Sequence, residues 1–115
     1  MSSAPVYVTQ GDVGLTLSDA LLQGDEEILD LSDAASVELL MAPERKLGPP
    51  PAATGGGAGV IDSAAGGTVH YVTQVDDFAQ PGTYSAEWRV TFNSGEVVHV
   101  PSQDFYRIIV RPSLG

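Results

Sequence analysis

From Tyr84 to Phe92 the chain alternates without a break. Tyr84, Ala86, Trp88, Val90 and Phe92 share one parity, and Ser85, Glu87, Arg89 and Thr91 share the other. A two-residue period places successive side chains on opposite sides of an extended strand, with one side in a core and the other in water. Asn93-Ser94-Gly95 follows with turn chemistry, since Asn and Gly tolerate the positive φ that a reversal needs. Val97 to Val100 then returns as a partner strand, Pro101 ends it, and Tyr106, Ile108 and Val110 alternate in a last strand. A chain that closes in this way is committed to antiparallel sheet.

The same signals recur upstream. Val6, Tyr7 and Val8 predict a short first strand that turns at Gly11-Asp12. Leu15 and Leu17 continue in strand parity, and Val37, Leu39 and Met41 alternate with polar neighbours. Val60-Ile61 and then Val69, Tyr71, Thr73 and Val75 predict two more strands. A helix over Ser18 to Leu31 is the competing reading, but Gly24 in its middle and the strand-like flanks oppose it. Short strands at this spacing, about seven of them, predict an all-β, immunoglobulin-like antiparallel β-sandwich.

With 115 residues, the chain is read as a single domain over 1–115. A chain of that length buries roughly two-thirds of its unfolded surface, enough for one core. Residues 48–59 (GPPPAATGGGAG) break the pattern. Prolines favour extended backbone without ladder bonds and glycines add freedom, so the stretch is predicted to be a flexible loop between strands. There is no cysteine, so neither disulfides nor thiolate metal sites can form. The opening MSSAPVYVTQ lacks the basic and apolar regions of a secretory signal. No apolar run reaches the ~20 residues that span a bilayer.

The formal net charge is −10, and the basic residues are few and scattered: Arg45, Lys46, Arg89, Arg107 and Arg111. Phosphate recognition needs clustered Lys and Arg, so nucleic acid and anionic membranes are not expected partners. Asp25, Glu26, Glu27, Asp30 and Asp33 form the densest group of hard oxygens, but their spacing matches no EF-hand and Leu29 and Leu31 interrupt them. A solvated turn accounts for them. Asp76-Asp77 with Glu87 could be drawn as an acid and base pair, yet a turn beside Pro81-Gly82 explains the first two and outward parity the third. His70 and His99 have no compact ligand spacing. The glycine run 55–59 lacks the Lys and Ser/Thr of a phosphate loop, and no G-x-S-x-G elbow occurs. The expected assignment is therefore no catalytic residue, no cofactor and no metal. Trp88, on the apolar parity, is expected in the core.

Several stretches carry a resemblance. Ile28 to Met41 (ILDLSDAASVELLM) resembles the L-D-L-T-G-A-x-V-x-F stretch of small immunoglobulin-like domains in tailed-phage virion proteins, such as the N-terminal domain of siphophage upper baseplate proteins. Gln10 to Leu17 resembles the opening x-G-D-T-x-x-x-L strand of that family. Pro81-Gly82-Thr83-Tyr84, Glu87-Trp88, Gly95 and Ile108 to Val110 fit its second half. The resemblance spans nearly the whole chain, although the Pro/Gly stretch is longer than such domains carry and no receptor-binding domain is expected after Gly115.

What the resemblance implies is a non-enzymatic structural protein of the virion, made in the host cytoplasm. It would sit at the tail, baseplate, neck or capsid surface and dock other virion proteins in symmetric copies. Edge strands and loops are the natural contacts for such a protein, so the candidate interface residues are Val6, Tyr7, Val8, Pro49, Pro50 and Pro51. The alternative is a carbohydrate-binding or cell-adhesion module. That module would need exposed aromatics, for which Tyr7, Tyr71, Phe78, Phe105 and Tyr106 are the candidates.

Overall fold

The computed structural model describes residues 6–23, 27–44, 55–100 and 106–114. Every regular element among them is a strand. In chain order these are β1 (Val6–Thr9), β2 (Thr16–Ala20), β3 (Leu22–Gln23), β4 (Glu27–Ile28), β5 (Ala34–Pro43) and β6 (Gly55–Ala58), then β7 (Val60–Ser63), β8 (Thr68–Val72), β9 (Gly82–Phe92), β10 (Val97–Val100) and β11 (Tyr106–Arg111).

They form two facing sheets and a small ribbon. The larger sheet runs β1-β11-β9-β5-β6, with β10 also on β9; the smaller runs β2-β8-β7; β3 and β4 pair with each other. The immunoglobulin-like sandwich read from the sequence is the fold. Among the described residues its strands number eleven rather than about seven. The surplus is made of short pieces, the β3-β4 ribbon and a strand drawn from the glycine run, while the two closing strands read from the sequence are β10 and β11. Both of those last strands pair antiparallel with β9, Val100 opposite Trp88 and Tyr106 opposite Ala86. One ladder departs from the antiparallel expectation. β1 lies parallel to β11, Val6 beside Ile108 and Val8 beside Val110.

β5 and β9 form the spine. Val37 faces Val90, Leu39 faces Trp88 and Met41 faces Ala86, and all six are buried. Val8, Val100, Ile108 and Val110 add to the same inner face, and Val69, Tyr71 and Phe78 meet it from the other side. Trp88 lies between the sheets as its parity predicts, 2% exposed. An aromatic of that size removes the most apolar surface from water where both layers can cover it. Leu21, Leu29 and Leu31 add to this core from the segments flanking the ribbon, so two of the leucines that break up the acidic stretch are core residues.

Two sequence readings need correction. The alternation expected to run through Val75 stops at Val72; Val75 stands in a turn and is 71% exposed. The flexible loop drawn over 48–59 does not include its second half. Gly55 to Ala58 pair with Met41 to Glu38 as β6, and the Gly59 N–H donates to the Val37 carbonyl at 2.8 Å. Glycine is needed there because the backbone passes so close. A Cβ on Gly56, at φ +91°, would fall 2.0 Å from the Leu39 carbonyl oxygen. Residues 48–54, including Pro49, Pro50 and Pro51, lie outside the described residues.

Candidate interface

The proposed contact strand β1 is an outer strand of the larger sheet. Val8 is buried in the core, Val6 is partly covered, and Tyr7 is 65% exposed beside Ile109. Backbone groups alternate in direction along a strand. The Gln10 N–H donates inward to the Arg111 carbonyl at 2.7 Å, so Thr9 and Tyr7 point their backbone groups outward. At Thr9 both outward groups are already used. Its N–H donates to Asp12 Oδ2 at 3.1 Å, and its carbonyl accepts from the Asp12 N–H at 3.0 Å. Among the described residues of β1, only Tyr7 has its outward backbone groups left open, too little for strand addition along β1.

The opposite edge of the same sheet is closed in the same manner. The Gly59 N–H points to β5, so Gly56 points away from it, and the Gly56 N–H donates to Asp77 Oδ1 at 3.1 Å. Asp77 Oδ2 also accepts from the Tyr71 hydroxyl at 2.5 Å and from the Gln74 N–H at 2.8 Å. This carboxylate is 8% exposed and ties β6, β8 and the turn after β8 together. Tyr71 holds its hydroxyl proton more tightly as a consequence. Burial first, then the hydrogen bond and charge of Asp77, push its hydroxyl well above the ordinary range. Asp76 occupies the left-handed region at φ 78°, which Asp tolerates better than most residues, so the pair is turn chemistry as the sequence implied.

A third aspartate acts on the smaller sheet. The Ala20 N–H, which points away from β8, donates to Asp19 Oδ1 at 2.8 Å. β7, the far edge, is broken by a register shift between Ile61 and Ser63. Natural sheets blunt their edges by such caps, bulges and charges. Asp12, Asp19 and Asp77 were not singled out for this task by the sequence. A Thr-x-x-Asp turn after β1 is a local signal that could have found Asp12, whereas Asp77 and Gly56 are joined only by the fold.

The remaining charged candidates are also placed in structure. Arg89 on β9 grips Glu38 on β5 with bonds of 2.9 and 3.0 Å from Nη2, and Arg107 meets Glu44 at 2.9 Å. Glu87 lies on the outward parity opposite Leu40, away from the turn that holds Asp77. His70 on β8 meets Asp62 on β7 at 2.7 Å, while His99 is on β10 in the other sheet, so the two histidines are not brought together. Asp30 accepts from the side chain and backbone of Ser32, which hold its carboxyl below the usual range. Asp25 and Glu26 lie outside the described residues. Among the described residues no three His, Asp or Glu side chains converge as metal ligands. Tyr71 and Phe78 are core residues, so neither is a stacking platform for sugars; Tyr7 is exposed, and the side chains of Phe105 and Tyr106 are outside the described set.

No family model matches the sequence, and no curated protein matches it. Among solved structures, the crystal structure of CopC from Methylosinus trichosporium OB3b is similar at 13% identity with a TM-score of 0.47, covering 98% of this chain and 89% of that one. A likeness at that level carries nothing about function.

Proposed function

We propose that the chain is a non-enzymatic structural protein of a tailed-phage particle, acting as an accessory or adaptor that docks other virion proteins in several symmetric copies. The observation that carries this reading is where the carboxylates go. Asp77, Asp12 and Asp19 hold strand-edge N–H groups, and Glu38 and Glu44 hold arginines, so these acids are spent on the fold. A sandwich organised in this way has its surfaces to offer. The sequence resemblance to immunoglobulin-like virion domains supplies the setting. A net charge of −10 suits docking on a basic surface and keeps the free chain dispersed.

The test is reconstitution. Purified chain added to particles assembled without it is expected to co-sediment with them at a fixed ratio, and raised salt is expected to weaken the uptake. The reading is overturned if the chain alone turns over a defined small substrate at enzyme-like rates that one carboxylate substitution abolishes.

A further inference from the structure

β2, an edge of the smaller sheet, is closed only at its end. The Leu21 N–H donates to the Gly67 carbonyl and the Leu15 carbonyl accepts from Thr73, so residues of odd number face β8 and Thr16, Ser18 and Ala20 face away. Asp19 takes the Ala20 N–H. The N–H and carbonyl groups of Thr16 and Ser18 have no partner among the described residues. Exposed apolar side chains stand just before this open stretch, Val13 at 53% and Leu15 at 36%. The outer face beside it carries Thr16, Ser18, Ala20, Thr68, Val72 and Val60, and its one carboxylate, Asp62, is hydrogen-bonded to His70. In a chain so rich in acid, a sheet face with a single carboxylate, already hydrogen-bonded, stands apart.

We infer that β2 pairs antiparallel with β2 of a second copy of this chain about a two-fold axis through Leu17, joining two three-stranded sheets into one. The register is self-complementary. Thr16 meets Ser18 of the second copy, so every outward N–H in the open stretch finds a carbonyl, and the two hydroxyl side chains become neighbours. Leu17 meets Leu17 on the inner side, where each is already packed against its own core. Asp19 meets Leu15 rather than another Asp19, so no like charges oppose one another and Leu15 is covered. An isologous contact of this kind needs no second surface. Pairing so short a segment buries less than the roughly 1,200 Å² of a standard interface, so the free chain associates weakly. Neighbouring copies on a symmetric particle raise the effective concentration and make the contact persist. The inference rests on the proposed multi-copy role and names the contact between copies.

Sedimentation and amide NMR across a concentration series, up to the order of millimolar, test it. The expected result is a monomer–dimer equilibrium in which the Thr16 and Ser18 amide resonances move with concentration. Ser18→Pro removes an outward N–H without touching the β8 ladder, a position where edge strands tolerate proline, and it should abolish the dimer. Leu15→Glu, at an exposed site, sets two carboxylates against each other and should weaken dimerisation at least several-fold even if the proline variant folds poorly. His99→Pro does the same at the outward edge of β10 and should leave the dimer intact. The inference is overturned if the chain stays monomeric throughout, or if His99→Pro disrupts association while Leu15→Glu does not. A chain that joins particles at a fixed ratio yet shows no β2 self-association overturns this contact and leaves the particle reading standing.

Discussion

The Tyr71 hydroxyl donates to Asp77 Oδ2 at 2.5 Å, and through that bond the smaller sheet is fastened to the glycine strand at the edge of the larger one. Removing the carboxylate strands three donors together: the Tyr71 hydroxyl and the N–H groups of Gln74 and Gly56. Asp77→Ala is expected to cost about 3 kcal/mol, since each unmet buried donor costs on the order of 1 kcal/mol or more. Tyr71→Phe leaves the carboxylate its two backbone donors and should cost only about 1 kcal/mol. Urea denaturation of both single variants and the double variant should show strong coupling between the sites. Additive losses would show that the bond contributes little.

The same hydroxyl makes stability depend on alkaline pH. Its folded-state pKa lies above the unfolded value near 10, so the folded chain holds that proton more tightly. The contribution is complete below pH ~10 and is lost as pH rises through the folded pKa. Wild-type urea midpoints should therefore fall more steeply than those of Tyr71→Phe as pH rises above ~10, and the two should run parallel below it. Absorbance of ionised tyrosine should show one of the four tyrosines titrating only as the chain unfolds.

Gly56 and Gly95 separate backbone conformation from close approach. Both have positive φ, 91° and 94°. A Cβ at Gly95 meets open space, whereas one at Gly56 meets the Leu39 carbonyl. Gly95→Ala should therefore cost about 1 kcal/mol in backbone strain alone. Gly56→Ala should cost several times that, or detach β6, which hydrogen exchange at Gly57 and Gly59 would report.

Trp88→Ala is expected to cost about 3–5 kcal/mol, as large aromatic truncations in cores do. Iodide should scarcely quench Trp88 fluorescence in the folded chain. Ready quenching would contradict its packing between the two sheets.

The sandwich was legible where side chains alternate, and least legible where backbone groups decide. Trp88, Val90 and Leu39 declare their face by period alone. β6 could not be read because Gly55, Gly56 and Gly57 have no side chains to alternate, and composition pointed to a loop. Its order comes from close backbone approach and from Asp77, 21 positions away. Val75 shows the converse: its parity fits a strand, but the chain turns at Gln74 because Asp77 captures that N–H. At the candidate interface, Val6 to Val8 were read as a short strand, and they form β1 with Val8 in the core. That Asp12 closes its edge depends on which way each N–H points, a property that parity of side chains does not encode.

A building part of a virus particle, the role proposed for this sandwich, travels with the particle in a fixed ratio. The most direct measurement is quantitative mass spectrometry of particles purified to constant density, with this chain counted against the major capsid protein. The account predicts a fixed, reproducible copy number that is a multiple set by the symmetry of the capsid, neck or tail. A chain that is abundant in the infected cell yet absent from purified particles would contradict it.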